Sequence, residues 1–265
     1  MNGTLIHAYL RASGMGSDHE QVGPFLAHFT PGTDHPMRNY AIPDDDAQPS
    51  RIEVDALIET FERRGLKPRL EYAADAAPRL ETILLDAGFE VEDRLTVMTC
   101  DPSGDQQLSE PADFEVGVAE SDRDHIDAIV VAKDAYGELG LPPGEDALAG
   151  RRPMSGAGGA VVLARDRATC RPAGSGVLQI PRAGVSELGA VGTRSEFRNR
   201  GVAQAVTARL VRAASEHDVA LVWLTAEGAQ AERVYARAGF VLGDLQMVHI
   251  SRSGGPRATS GAAPG

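Results

Sequence analysis

The chain has 265 residues, of which 42% are hydrophobic, and its 26 basic residues against 38 acidic residues give a formal net charge of −12. This length and composition predict one large or two small globular domains and argue against a mostly disordered chain. Because binding to a phosphate backbone needs clustered positive charge, the acidic balance also argues against a nucleic-acid-binding protein. A cationic partner would be attracted more easily.

Cysteine use and the apolar segments indicate where the protein resides. Cys100 and Cys170 are its only cysteines, and no Cys or His spacing suggests a metal site. A disulfide-stabilised chain of this length would carry more cysteines, so we expect a reduced, cytoplasmic protein. The first residues lack a basic and apolar leader, and the apolar runs are short, so we expect no export signal and no membrane partner. The polar segment 251–265 is predicted to be a flexible tail.

Helix and strand patterns alternate along the chain and predict an α/β fold with a mixed sheet. A helix pattern covers Ile52 to Arg64, Ser121 is the predicted N-cap of a helix that ends near Tyr136, and Gly201 precedes a helix of about four turns. The Gly/Pro-rich stretch 137–159 could cover a site. The other predicted elements are strands at 114–118, 160–164, 176–180, 186–191, 221–224 and 240–250, with an antiparallel meander over 160–191, and a helix at 229–238 that ends at Gly239.

An internal repeat relates the two halves of the chain. LETILLDAGFEVED (80–93) aligns without gaps with AERVYARAGFVLGD (231–244) at an offset of 151 residues. At the same offset the strand pattern at 70–72 falls on 221–223, and the preceding helix patterns coincide. Two copies of one helix–strand–helix–strand unit are therefore predicted, although Ala-Gly-Phe is also a common helix stop before a strand.

The segment from Arg198 to Ala203 carries the clearest chemical signal. It follows a strand that ends near Gly192 and leads directly into the helix after Gly201. Such a loop leaves unpaired backbone N–H groups at the positive end of a helix dipole, and small side chains let a phosphate approach them. The sequence therefore predicts a cradle for a pyrophosphate or a similar anion, with charge-assisted contacts from the two arginines of the segment. An ordinary helix start with solvated arginines is the alternative.

This segment resembles the loop with which the GCN5-related N-acetyltransferase (GNAT) family binds the pyrophosphate of acetyl-coenzyme A, an Arg/Gln-x-x-Gly-x-Gly/Ala sequence between a strand and a helix. The resemblance covers about residues 113–250, and AERVYARAGF (231–240) is similar to the family's Ala-x-x-Leu-Tyr-x-x-x-Gly-Phe signature. The family usually has Asn three residues before the first Ala, where this chain has Gly228. The resemblance implies transfer of an acetyl group from acetyl-coenzyme A to a primary amine.

The resemblance also implies roles for individual residues. Tyr235 would protonate the departing thiolate, and the main chain of Val191 would contact the thioester carbonyl. A core aromatic on the inward face of its helix is the alternative for Tyr235. The implied cofactor-binding residues are Val191, Gly192 and Thr193 along the pantetheine arm, and Arg198, Asn199, Arg200, Gly201, Val202 and Ala203 around the pyrophosphate.

Glu187 is the predicted general base, because an acceptor amine that arrives protonated must lose a proton before it attacks. It lies four residues before Val191 in the strand that would line the acceptor side, and related tandem members of the family often have Glu there. A period of two places both residues on one face of the strand. A solvated carboxylate at the start of a strand is the alternative, and Glu227 is a second candidate.

The first copy of the repeat lacks these residues. At the offset of 151 the cradle falls on 47–52, which three aspartates precede, and Tyr235 falls on Leu84. Because adjacent carboxylates repel a pyrophosphate, we predict a truncated and degenerate GNAT-like domain at 1–105 and a catalytic domain at 110–250. Each half would be a mixed, mostly antiparallel sheet flanked by helices, and the turn-rich stretch 101–111 would separate them.

The leading hypothesis is therefore an N-acetyltransferase that uses acetyl-coenzyme A as co-substrate and no metal, and in which the amine attacks directly. The acceptor would be a small-molecule or peptide amine, and the acidic balance favours a cationic one. A non-catalytic acyl-coenzyme A-binding or regulatory module is the rival, and a purely structural domain is a third reading. The sequence leaves open the acceptor, the acyl preference and the oligomeric state, a homodimer included.

Overall fold

The computed structural model describes residues 2–16, 18–104, 111–137, 148, 150–151 and 154–253. The predicted tail beyond 253 and most of the Gly/Pro-rich stretch 137–159 lie outside these residues. Packing divides the chain into two compact units. The first contains the residues up to Leu95 together with the segment from Leu245 onward, and the second contains Thr96–Asp244.

The helices and strands are numbered in chain order. The helices are α1 (Asn2–Gly14), α2 (Arg51–Glu62), α3 (Leu80–Asp86), α4 (Asp122–Tyr136), α5 (Val202–Glu216) and α6 (Gly228–Arg237). Short 3-10 turns lie at Pro36–Arg38, Ser155–Ala157 and Ser195–Phe197. The strands are β1 (Asp18–Val22), β2 (Phe25–Phe29), β3 (Tyr40–Pro43), β4 (Arg69–Ala73), β5 (Glu90–Cys100), β6 (Phe114–Val118), β7 (Ala160–Asp166), β8 (Pro172–Leu178), β9 (Val185–Thr193), β10 (Leu221–Ala226) and β11 (Val241–Ser251).

The first unit contains a mixed sheet in the order β1-β2-β3-β4-β11. Its one described parallel pair, β3 with β4, is joined by α2, as a parallel connection requires a crossover. The core lies between one face of this sheet and α2 and α3, and its largest side chains belong to Phe25, Phe61, Tyr72 and Phe89.

The second unit contains a mixed sheet in the order β5-β10-β9-β8-β7-β6. The predicted meander is confirmed, because β7, β8 and β9 pair antiparallel in sequence order, and β6 pairs antiparallel with β7. The strands β9 and β10 are parallel and are joined by α5. The main core contains Val206, Leu210, Val222 and Leu224, and a second cluster lies between the sheet and α4.

The compact units and the predicted domains divide the chain at different places. The chain leaves the first unit inside β5, at Leu95, whereas the sequence indicated a boundary at 101–111. The last strand, which the sequence left with the second half, contributes Met247–Ser251 to the ladder with β4. Strand pairing decides both differences, because β5 pairs through Thr96–Cys100 with β10.

Local sequence signals set the helix ends. Ser121 caps α4, as predicted, and Ser50 caps α2, and each serine forms a capping box with the residue three positions later. Gly137 ends α4 with a φ of 72°, and Gly239 follows α6 with a φ of 89°, a conformation that glycine adopts without steric cost.

The packing pattern refines the predicted repeat alignment. The offset of 151 holds from α3 and α6 onward, where the core residues Leu80 and Leu84 correspond to Ala231 and Tyr235. Upstream the core-facing positions correspond at 152, because the spacing from Tyr72 to Leu80 is one residue longer than the spacing from Leu224 to Ala231. The corresponding core residues there are Val54, Ile58, Phe61, Leu70 and Tyr72 in the first unit and Val206, Leu210, Ala213, Val222 and Leu224 in the second.

Among the described residues, none of the helices is long and apolar enough to cross a bilayer. The two cysteines are free thiols, with Cys100 buried and Cys170 exposed. The cytoplasmic location expected from the cysteine count stays a prediction.

Candidate functional site

A β-bulge interrupts β9 where the sequence placed the thioester contact. Ser175 pairs with Gly192 and Val177 with Gly189, so β9 has one extra residue in this interval. Ala190 takes up the extra length with a φ of 52°, a left-handed conformation that costs a non-glycine residue about 1 kcal/mol or more. The bulge lies beyond the ladder between β9 and β10, whose described pairs end at Glu187 and Trp223.

The loop after β9 leads into α5 as predicted. Asn199 and Gly201 both have left-handed backbone, with φ of 61° and 80°, and Gly201 is the N-cap of α5. The first helical hydrogen bond runs from the Ala205 amide to the Gly201 carbonyl, so the preceding amides of the first turn have no partner within the helix. No side chain caps this helix, and its first turn carries no acidic residue.

The equivalent helix of the first unit is closed to an anion. In α2 the Ser50 hydroxyl accepts a hydrogen bond from the Glu53 amide at 3.4 Å, and the Glu53 carboxylate accepts one from the Ser50 amide at 2.7 Å. These hydrogen bonds hold the pKa of Glu53 below its ordinary value, so a negative charge stays at this helix start. The positive end of α2 is therefore already neutralised by its own sequence.

The two arginines of the loop have different surroundings. Arg198 donates to the carbonyl oxygens of Thr193 and Ala135, both at 3.2 Å, and its side chain borders the loop. Arg200 instead donates to Asp113 at 3.2 Å, and its guanidinium lies 4.7 Å from the centroid of the Phe114 ring. Arg200 is not among the residues that line the cleft described next.

A cleft of about 580 Å³ opens at the start of α5. It includes eight of the nine residues predicted to bind the cofactor, Arg200 being the exception. The structure thus brings the bulge of β9 and the N-terminal turn of α5 to one concave surface. The lining residues are Ala135, Tyr136, Val191, Gly192, Thr193, Phe197, Arg198, Asn199, Gly201, Val202, Ala203, Gln204, Gln230, Arg233, Val234 and Arg237.

Tyr235 lies beside this cleft and packs toward the core. It is half-buried against the main core of the second unit, and its ring meets the Phe240 ring edge-on with centroids 6.0 Å apart. Burial, together with a smaller effect of the nearby Tyr136 phenol, raises the pKa of Tyr235 to about 12. The phenol is therefore protonated at neutral pH, but Tyr235 is not among the residues that line the cleft, whereas its neighbour Val234 is.

Glu187 is also outside the cleft lining. It is half-buried in β9, its carbonyl accepts a hydrogen bond from the Gln179 amide at 2.8 Å, and it lies beside Trp223 of β10. Among the described residues, no cluster of three or more His, Cys, Asp or Glu side chains could hold a metal ion.

Sequence reasoning missed two parts of the cleft. Tyr136, at the C-terminal end of α4, donates its hydroxyl to the Val191 carbonyl at 3.2 Å. Gln230, Arg233 and Arg237 of α6 contribute a polar wall. The spacing of these three residues on one helix face was a usable signal, whereas the position of Tyr136 depends on packing between elements 55 residues apart.

Comparison with known proteins connects this geometry to a fold. Residues 175–247, from β8 into β11, match a family model described as FR47-like protein. A structure titled GCN5-related N-acetyltransferase from Kribbella flavida is 23% identical over 97% of each chain, with a TM-score of 0.77. One with a similar title from Sphaerobacter thermophilus is 16% identical over 87% of this chain and 78% of that one, with a TM-score of 0.62.

A structure titled tandem GNAT protein from the clavulanic acid biosynthesis pathway is 15% identical over 88% of this chain and 83% of that one, with a TM-score of 0.60. Comparison with curated protein sequences gave no match. At these identities the likeness shows the fold. The chain therefore has the mixed α/β fold, with a sheet flanked by helices, of structures titled as GNAT proteins.

Proposed function

We propose that the protein is a GNAT-family N-acetyltransferase that moves an acetyl group from acetyl-coenzyme A to a primary amine. The observation that carries the proposal is the N-terminus of α5, which no side chain caps and which begins at Gly201 on the 580 Å³ cleft. This helix start lies within the residues that match the FR47-like model. Free amides at the positive end of a helix bind phosphate oxygens, and acetyl-coenzyme A carries a diphosphate.

The absence of a side chain at Gly201 supports the diphosphate assignment. Its φ of 80° favours glycine, and the amides of Val202, Ala203 and Gln204 follow without a capping carboxylate. Arg198 adds positive charge at the edge of the same loop. The capping box of α2 supports a degenerate first copy, because Ser50 and Glu53 would compete with a phosphate for the equivalent amides.

The transfer would occur at the bulge of β9. The amine nitrogen forms a bond to the thioester carbonyl carbon while negative charge develops on the carbonyl oxygen, and the carbon–sulfur bond then breaks. A fixed backbone donor near Val191 would stabilise the oxyanion more than water does, since it needs no reorganisation. Direct attack needs no nucleophilic side chain, and no covalent intermediate on the protein is part of this proposal.

Tyr235 would supply a proton to the leaving thiolate. Its pKa of about 12 is above the ~8.5 of an ordinary thiol, so complete transfer from the phenol is uphill and the phenol acts first as a hydrogen-bond donor. The attacking amine loses one proton and the thiolate gains one, so the transfer consumes no net proton. Glu187 remains the proposed base, and a cationic small-molecule or peptide amine remains the proposed acceptor.

Exchange of Tyr235 for Phe tests the catalytic assignment. Tyr235→Phe should lower turnover at least tenfold and leave the affinity for acetyl-coenzyme A nearly unchanged, because only the phenol hydroxyl is removed. Release of free thiol from acetyl-coenzyme A with a panel of amines measures turnover. The matched control is Tyr72→Phe in the first unit, since the buried Tyr72 hydroxyl has no hydrogen-bond partner among the described residues. Unchanged turnover in Tyr235→Phe would remove the proton-donor role.

Two observations favour the rival function, a module that binds acyl-coenzyme A without catalysis. Gly228 stands where the resemblance predicts Asn, and neither Tyr235 nor Glu187 lines the cleft. The same assay separates the two functions. Binding of acetyl-coenzyme A by calorimetry without thiol release for any amine would favour the module. Loss of binding in an Arg198→Glu, Gly201→Val double variant is expected for both functions.

A further inference from the structure

The α6 wall of the cleft carries two arginines that the proposed diphosphate site does not use. Gln230, Arg233 and Arg237 line the cleft and lie on one face of α6 at spacings of three and four residues. Arg233 and Arg237 are exposed, and neither forms an ion pair with another residue that the structure describes. In a chain with a net charge of −12, this is an unusual local excess of positive charge.

Helix energetics do not account for this pair. Arg237 lies in the last turn of α6, where a cation is favoured by the helix dipole, but Arg233 lies in the middle of the helix. Two like charges four residues apart repel each other. An anion bound between them would remove this repulsion and would accept charge-assisted hydrogen bonds from both groups.

The first copy of the repeat shows that the fold does not need arginine at these positions. At the offset of 151, Arg233 corresponds to Thr82 and Arg237 to Asp86 in α3, which precedes the same Ala-Gly-Phe turn. The two basic residues therefore occur only in the copy that has the uncapped helix and the cleft. The proposed ligand site therefore explains the presence of arginine at these positions better than the needs of the helix do.

We infer that Arg233 and Arg237, assisted by the amide of Gln230, form a second anion site that binds a phosphate monoester. This inference rests on the proposed function, because coenzyme A carries a 3′-phosphate in addition to its diphosphate. In the proposed function the diphosphate occupies the amides at the start of α5, whereas these two arginines belong to α6. The monoester carries close to two negative charges at neutral pH, which matches the two guanidinium groups.

Calorimetric titration of the full chain with coenzyme A and with 3′-dephospho-coenzyme A tests the site. The wild-type protein should bind coenzyme A about tenfold more tightly than the dephospho form, and added salt should reduce this preference. The Arg233→Gln, Arg237→Gln double variant should bind the two ligands within about twofold of each other. Its affinity for 3′-dephospho-coenzyme A should stay at the wild-type level, which also shows that it is folded.

The matched control is Arg212→Gln, an exposed arginine of α5 that pairs with Glu216 at 3.2 Å and lies outside the cleft lining. This variant should keep the full preference for coenzyme A. Equal wild-type affinities for the two ligands would overturn the second site. An equal loss of affinity for both ligands in the double variant would overturn it as well. The arginines would then bind the diphosphate or attract both ligands by their positive charge alone. Binding of neither ligand to the wild-type protein would instead overturn the proposed function.

Discussion

An acidic residue in the first turn of α5 should raise the stability of the folded protein and lower its affinity for coenzyme A. Gln204 is the third residue of α5, the position that Glu53 occupies in the capped helix α2. Gln204→Glu keeps the size of the side chain and adds one negative charge near the unpaired amides. The helix dipole should stabilise the folded protein by roughly 0.3–1 kcal/mol, a rise in Tm of about 1–3 °C.

The same charge should repel a diphosphate. For a separation of about 5 Å in water, each pair of unit charges costs about 0.8 kcal/mol, so a diphosphate with two charges loses roughly 1.7 kcal/mol before screening. Physiological salt reduces this by about half. The dissociation constant for coenzyme A should therefore rise about 5-fold at physiological salt and about 15-fold at low salt.

Calorimetry at two salt concentrations and thermal unfolding measure both effects on one variant. Gln179→Glu is the matched control, because Gln179 is exposed beyond the end of β8 and does not line the cleft. This control should bind coenzyme A with wild-type affinity. If Gln204→Glu raises Tm while the affinity changes by less than about twofold at low salt, the diphosphate does not lie at the start of α5 and the proposed cofactor site is wrong.

Three further substitutions test separate features. Gly201→Ala should lower the free energy of unfolding in urea by about 1–2 kcal/mol, because φ is 80° there; an unchanged midpoint would contradict the left-handed bend. Tyr136→Phe should raise the affinity for coenzyme A about threefold, since it frees the carbonyl of Val191 to accept a hydrogen bond from an amide of the pantetheine arm, and weaker binding would show that the phenol contacts the ligand. Burial of Glu92 opposes ionisation, but hydrogen bonds from Lys67 and its neighbours outweigh it and lower the pKa to about 2. Because this pKa is depressed, ionised Glu92 should stabilise the folded protein above about pH 4.5, and this stabilisation should be lost as the pH falls toward 2. Glu92→Gln should therefore lower the free energy of unfolding by roughly 1 kcal/mol at pH 7 and by little at pH 2. An equal loss at both pH values would refute the stabilising role of the ionised carboxylate.

Elements with strong local signals could be predicted closely. The strand at 114–118 agrees at both ends with β6, and the capped helix after Ser121 ends at Tyr136 before Gly137. Periodicity and capping residues act within a few positions, so they are visible in the sequence alone. Helix α1 and strands β1 to β3 have weaker sequence patterns, and the sequence did not predict them.

The candidate site divides in the same way. The cradle from Arg198 to Ala203 is a local loop, and its left-handed glycine and the helix after it follow from adjacent residues. The direction of the Arg200 side chain does not, because Asp113 and Phe114, which it contacts, are distant from it in the chain. The hydrogen bond from Tyr136 to Val191 is likewise a contact between distant segments.

His125 shows the same limit in the core. Its helical pattern predicts an exposed residue, yet the structure buries it, with only 6% of its surface exposed. A period of 3.6 identifies a helix face, but the neighbouring strands decide how much of that face is covered.

The amino-acid sequence by itself determined the order of most helices and strands of the second unit, the glycine-opened start of α5 and the similarity between the two halves, because each depends on residues close together in the chain. Only the tertiary structure decided that β5 and β11 cross between the compact units and that α6 brings Arg233 and Arg237 to the cleft. The physical reason is that strand pairing and helix packing join segments that are distant in the chain, and the local sequence of one segment does not identify the segment that packs against it.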